Sequence, residues 1–221
     1  REIVIADIKG KIIDYKVKDE YIEFLKTYAQ DYANLKIAVD CSNGMAGLLI
    51  KKLLGKKPVY IFDEMDGTFP NHEPNPLIEE NLSDLKKTVL EEKCDIGVIF
   101  DGDADRVMFV DEKGKFISPD LIIAFMGHYF LENEKGNVLE DIRSSKAVKE
   151  YIKKLGGKVH TWRVGRAFAA PKLKDIKGIY GGELAGHYYF RDFFYSDSGI
   201  LASLIVLNLL SEFKEQGKTM S

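Results

Sequence analysis

Apolar and polar residues along this chain fall into blocks whose period switches between that of a helix and that of a strand. Tyr21, Ile22, Phe24, Leu25 and Tyr28 recur at helical spacing and predict a helix over 19–32. A short β-rich run at 36–40 follows, then a turn at Ser42-Asn43-Gly44, a second helix through Leu54, and a strand at 58–62. A proline-rich loop, 69–76, leads to a helix carrying Leu77, Ile78, Leu82, Leu85 and Leu90, and then to a strand at 95–100. Residues 106–110 and 115–117 read as a hairpin turning at Gly114, a hinge between two units. Beyond Pro119 the alternation restarts: helix 120–130, strand 137–142, helix 145–155, strand 158–164, helix 166–174, strands near Ile179 and at 188–190, and a last helix from Ser198. Short strands separated by helices of this length need crossover connections, so the expected class is α/β. The pattern predicts two consecutive three-layer α/β/α domains with mixed, mainly parallel sheets, at 17–115 and 116–221, after a linker at 1–16. No residue-level repeat accompanies the repeated order.

Composition narrows the class of partner. With 45% hydrophobic and 30% charged residues among 221, the chain is neither disordered nor collagen-like. A net charge of −3 argues against nucleic acid or an anionic membrane, while leaving room for a small anion pocket. Cys41 and Cys94 adjoin apolar runs and read as buried thiols of a cytoplasmic protein. The N-terminal apolar patch is broken by Asp7 and Lys9, too weak for a signal peptide. The longest apolar stretch, 199–210, falls short of the roughly 18 residues of a membrane span. A start at Arg1 and a helix-like end at 218–221 give the expectation of a fragment.

The sharpest chemistry lies in Asp101-Gly-Asp103-Ala-Asp105-Arg106, where three carboxylates alternate with small residues just beyond an apolar strand. Open α/β sheets place ligands at such strand ends, and crowded carboxylate oxygens suit a hard divalent cation, Mg²⁺. An EF-hand loop shares the Asp spacing and has Glu112 at position twelve, but Arg106 stands where that loop needs Gly. A haloacid dehalogenase-type phosphatase would use Asp101 as nucleophile and Asp103 as acid/base, although Asp105 stands where Thr or Val is usual. In Gly181-Gly-Glu183-Leu-Ala185-Gly-His187, an acid and a histidine four residues apart suit sugar hydroxyls and an anion or proton respectively. Arg163-Val-Gly165-Arg166 places arginines at a helix start, where phosphate binds. His72, in the rigid loop 66–76, reads as structural.

In their order, Val39-Asp-Cys-Ser-Asn-Gly44, Asp66-Gly-Thr-Phe-Pro-Asn-His72, Asp101 to Arg106, Val164-Gly165 and Gly182-Glu183-Leu-Ala-Gly-His187 resemble the α-D-phosphohexomutase superfamily, closest to bacterial phosphomannomutase/phosphoglucomutase. The resemblance covers nearly the whole chain and implies the second and third of four domains set around a cleft. It implies that Asp101, Asp103 and Asp105 hold Mg²⁺, that Arg106 and His187 are catalytic, and that Gly165, Arg166, Glu183, Ala185 and His187 bind the substrate. The implied reaction interconverts hexose 6-phosphate and hexose 1-phosphate, of glucose or mannose, through a phosphoserine and a bisphosphorylated intermediate. The family's phosphoserine loop and its Arg-x-Ser-Gly-Thr-Glu-Pro phosphate loop are absent from these residues, so the chain alone is expected to be inactive. The missing partners are then the first and fourth domains. Arg166, Ala170 and Ala185 stand where the family commonly has His, Lys and Ser; Arg166 or Lys172 would have to compensate for the lost Lys. A phosphatase and a non-catalytic sugar-phosphate-binding module remain the alternatives.

Overall fold

A computed structural model describes residues 10–132 and 134–221. Of the expected linker 1–16, residues 10–16 form neither helix nor strand, and 1–9 lie outside the described residues.

The first unit begins with helix α1 (Lys18–Lys26), which buries Ile22 and Leu25. It stops well short of Tyr32: the chain turns at Thr27, whose hydroxyl donates to the Phe24 carbonyl at 2.7 Å. The aromatic periodicity continues past the helix because Tyr32 packs elsewhere, its hydroxyl donating to Asn208 at 2.8 Å. Strand β1 (Ile37–Asp40) is buried throughout. The helix expected from Gly44 to Leu54 is broken into a 3₁₀ turn, Met45–Leu48, and a short helix α2 (Ile50–Leu54). The cause is close backbone approach, with Gly44 against Gly102 and Gly47 against the Asp63 carbonyl. Strand β2 (Val59–Ile61), a 3₁₀ turn at Glu79–Leu82, helix α3 (Ser83–Glu92), and strands β3 (Ile96–Phe100), β4 (Val107–Asp111) and β5 (Phe116–Ile117) complete the unit. Only part of the expected Leu77–Leu90 face is used: Leu82 and Leu85 are buried, whereas Leu77 and Leu90 face solvent. Gly114, at φ 72°, supplies the hairpin turn that an L side chain would resist.

Helix α4 (Pro119–Leu131) opens the second unit. There follow β6 (Asn137–Asp141), α5 (Lys146–Lys154), β7 (Lys158–Trp162), α6 (Arg166–Asp175), β8 (Gly178–Gly182), β9 (Tyr188–Phe190), β10 (Ser196–Asp197) and α7 (Gly199–Glu215). The two-residue β10 was not expected from the sequence, since it carries no apolar alternation.

Each unit has one five-stranded mixed sheet. The orders are β2-β1-β3-β4-β5 and β10-β9-β8-β6-β7, each with three parallel strands extended by two antiparallel ones. Helices flank both sheets, so the α/β class and the α/β/α layering hold. The junction, however, is not a free hinge. One apolar cluster runs from Leu25, Val39 and Phe100 to Ile122, Tyr188 and Leu204, and α7 is buried along most of its length. Polar ties reinforce it: Ser211 bonds the Asn34 side chain at 2.8 Å, and Lys214 pairs with Asp95 at 2.6 Å. Among the described residues no helix is long and apolar enough to cross a membrane. Cys41 and Cys94 are free and buried; burial pushes their thiols up to about 12 and about 11.

Candidate active site

The acidic loop leaves the carboxyl end of β3 and returns along β4, so Asp101 is fixed at the sheet while Asp103 projects outward. Ala104 holds a left-handed φ of 62°, which turns the chain so that the three carboxylates converge. Each of Asp101, Asp103 and Asp105 offers an oxygen within 4.8 Å of the others. Three hard oxygen donors at that spacing fit a divalent cation such as Mg²⁺. Burial pushes the Asp105 carboxyl up to about 6; His187 pulls it down, while the charges of Asp101, Asp103 and Asp197 push it up. Arg106 Nε lies 2.7 Å from Asp101 Oδ2, and its Nη1 reaches Asn75 Oδ1 at 3.5 Å.

The turn at 42–44 does more than join a strand to a helix. Ser42 Oγ donates to the Phe100 carbonyl at 2.6 Å, and the Met45 amide donates to Gly102 at 2.9 Å. A Cβ on Gly44 would lie 2.6 Å from the Gly102 carbonyl oxygen, so the two loops touch only because no side chain intervenes. Beneath them His72 is held on buried Asp40, Nε2 to Oδ2 at 3.1 Å, which is the structural part expected of it.

The second unit brings its own loop to the same place. The Val107 amide donates to the Gly186 carbonyl at 3.2 Å, Arg106 and His187 form an antiparallel bridge, and the Gly199 amide donates to Ala104 at 3.1 Å. His187 Nδ1 then lies 3.7 Å from Asp105 and 2.7 Å from Asp197. Burial alone would lower the His187 imidazole, but the Asp197 hydrogen bond and the charges of Asp105, Asp197 and Glu183 carry it upward. Buried Glu183 accepts from the Gly165 amide at 3.0 Å and the Tyr189 hydroxyl at 3.0 Å, tying the 163–166 turn to the 182–187 loop. Arg166 Nε lies 3.0 Å from Asp197 Oδ1. Thus Asp101, Asp105, Arg106, Gly165, Arg166, Glu183 and His187 form one bonded network, with Asp103 and Ala185 on the loops at its rim. Lys172 is not part of it: it pairs with Asp175 at 2.8 Å and lies over the Trp162 ring. Both contacts turn Lys172 toward α6 and Trp162.

Three residues of this network lie outside the motifs that the sequence singles out. Asp197 bridges His187 and Arg166. Buried Asp141 accepts from the Leu184 amide at 2.8 Å and from Arg143 at 2.6 Å, and half-exposed Arg143 lies in the field of Glu183. The usable signal is a charged residue closing each strand that faces the loop, namely Asp141 as the last residue of β6 and Asp197 in the Ser-Asp-Ser-Gly run that leads into α7.

A two-sheet α/β chain with a three-carboxylate loop docked on a Glu–His loop defines a class, and comparison with known proteins names it. The family description "Phosphoglucomutase/phosphomannomutase, alpha/beta/alpha domain II" matches residues 19–114, and the corresponding domain III matches 118–221. The chain belongs to the phosphoglucomutase/phosphomannomutase family. It is 36% identical over 213 residues to a phosphomannomutase of Salmonella montevideo, covering 91% of this chain and 47% of that protein. A solved phosphoglucomutase/phosphomannomutase family protein of Burkholderia thailandensis matches with a TM-score of 0.83 and 32% identity, over 90% of this chain and 44% of that one. An Aspergillus fumigatus N-acetylphosphoglucosamine mutase, solved with GlcNAc-6P and magnesium, shares the fold at a TM-score of 0.62 and 18% identity, over 90% of this chain and 51% of that one. The chain spans about half the length of the curated relatives it matches.

Proposed function

We infer that this chain is the central part of a cytoplasmic phosphohexomutase that interconverts hexose 6-phosphate and hexose 1-phosphate. The observation that carries this reading is the docking of the two loops, which leaves His187 3.7 Å from Asp105. A phosphoryl-handling loop and a sugar-handling loop would then act side by side on one substrate. Residues 17–115 are the second domain and 116–221 the third, with 1–16 leading in from the first; the first and fourth domains are the partners that complete the site. Two buried free cysteines support a reducing compartment.

Asp101, Asp103 and Asp105 would hold Mg²⁺, which when bound neutralises charge on a phosphoryl group in transit. Arg106 is held at the mouth of the acidic loop by Asp101, where its guanidinium can meet phosphoryl oxygens. Glu183 anchors the Gly165 turn and takes the sugar hydroxyls; the backbone of Gly165 and Ala185 and the Arg166 side chain complete the substrate contacts. His187 orients the phosphosugar and carries a proton to or from its hydroxyl. The EF-hand alternative fails on geometry, since Glu112 lies beyond the far end of β4 from Asp105.

Calorimetric titration of the chain with Mg²⁺ tests the metal assignment. Wild type is expected to bind one ion, and Asp103→Asn to bind it at least ten-fold more weakly; equal affinity in the variant would overturn the assignment.

A further inference from the structure

We propose that Asp197 is a positioning residue that fixes the tautomer of His187, and that Arg166 locks Asp197 into that role; the proposal rests on the reading of His187 given above. The Asp197 side chain is 0% exposed, and its two oxygens face different partners, with Ser196 Oγ also donating to Oδ1 at 3.5 Å. Oδ2 lies 2.7 Å from His187 Nδ1, and Oδ1 lies 3.0 Å from Arg166 Nε. A carboxylate only accepts, so Nδ1 carries the proton and the neutral ring keeps its lone pair on Nε2, the nitrogen left free for a substrate hydroxyl. His187 also stacks on the Tyr189 ring, with centroids 6.4 Å apart and planes 25° from parallel, which restrains ring rotation.

Arg166 has a separate reason to be there. A fully buried carboxylate beside Asp105 and Glu183 is costly without a compensating charge. The guanidinium supplies it, and its Nη2 donates to Ser196 Oγ at 2.9 Å, so the strand that carries Asp197 is held at two points. Asp105, His187 and Asp197 are also close enough to ligate a cation together. With Arg166 already on Asp197, however, the positive charge at that carboxylate is provided by the chain.

Arg166 makes the consequence of a substitution specific. Guanidinium only donates, so in Asp197→Asn the amide oxygen must stay with Arg166 and the amide NH₂ must turn to His187 Nδ1. That forces the ring into the opposite tautomer, with the proton on Nε2. Removing Arg166 as well frees the amide to flip and restores the original form.

Long-range ¹H–¹⁵N NMR of the four histidines at alkaline pH reads this directly in the 221-residue chain. The expected results are an Nδ1–H His187 in wild type, an Nε2–H ring in Asp197→Asn, and Nδ1–H recovered in Asp197→Asn/Arg166→Ala. An Nε2–H ring in wild type, which needs no variant to fold, would overturn the proposal, as would an unchanged tautomer in Asp197→Asn. Failure of the double variant to recover would overturn the part given to Arg166. In the full-length parent, Asp197→Asn is expected to lower kcat by roughly 10²- to 10⁴-fold with KM retained; an unchanged kcat beside a reversed tautomer overturns the positioning role. A parent without mutase turnover would instead defeat the functional reading and leave the NMR result standing.

Discussion

Replacing Gly199 by Ala should loosen the contact that holds the two loops together. Gly199 is the first residue of α7, and its amide donates to the Ala104 carbonyl. A Cβ at this position would lie 2.7 Å from the Arg106 carbonyl oxygen, 2.8 Å from its carbon and 2.9 Å from the Ala104 carbonyl oxygen. All three are backbone atoms of the acidic loop, so no side chain can swing aside. Overpacking of this kind costs about 1–3 kcal/mol. Ala gains up to about 1 kcal/mol over Gly in a helix interior, and less at a first position, so sterics win by about 1–2 kcal/mol. For a chain of this length that lowers Tm by about 2–8 °C. The same displacement spreads the Asp101–Asp105 oxygens, so Mg²⁺ affinity should fall together with stability. Thermal unfolding followed by circular dichroism, paired with calorimetry, measures both. Gly67→Ala is the control: nothing lies within 4 Å of its Cβ position, and a neutral change or a gain of about 0.4–1 kcal/mol is expected. A Gly199→Ala chain as stable as wild type, with unchanged Mg²⁺ binding, would refute the claim that backbone docking sets the site.

The buried His72–Asp40 pair gives a pH signature. The Asp40 hydrogen bond raises the His72 imidazole against the opposing effect of burial, so its NMR titration should fall above the usual value of about 6.5, and Asp40→Asn should bring it down. Because the folded His72 value is the higher one, its contribution is lost as pH rises through that value; burial raises the Asp40 carboxyl, so the pair is also lost on the acid side once Asp40 is protonated. Titration of His72 below its usual value in wild type would contradict the pairing.

The acidic loop was legible because a buried apolar strand, β3, runs straight into alternating carboxylates, and both features are local. The same holds for the Gly114 turn and for the long apolar face of α7. Legibility failed wherever a distant backbone decides the outcome. The break in the helix after Gly44 is set by Gly102 and Asp63, which are far along the chain. The early end of α1 is hidden because Tyr32 continues the apolar period while reaching for Asn208. Asp197 sits in a two-residue polar strand, and what makes it matter, a 2.7 Å contact with His187 on one side and Arg166 on the other, is tertiary. The rigidity of the junction was equally hidden, since the hairpin reads as a hinge while the cluster that locks it draws on both units.

The most direct measurement uses the full-length parent, incubated with hexose 1-phosphate and its bisphosphate in the presence and absence of Mg²⁺. The prediction is Mg²⁺-dependent conversion to hexose 6-phosphate without release of inorganic phosphate, abolished in Asp103→Asn. Release of inorganic phosphate, with an aspartyl-phosphate trapped at Asp101, would contradict it.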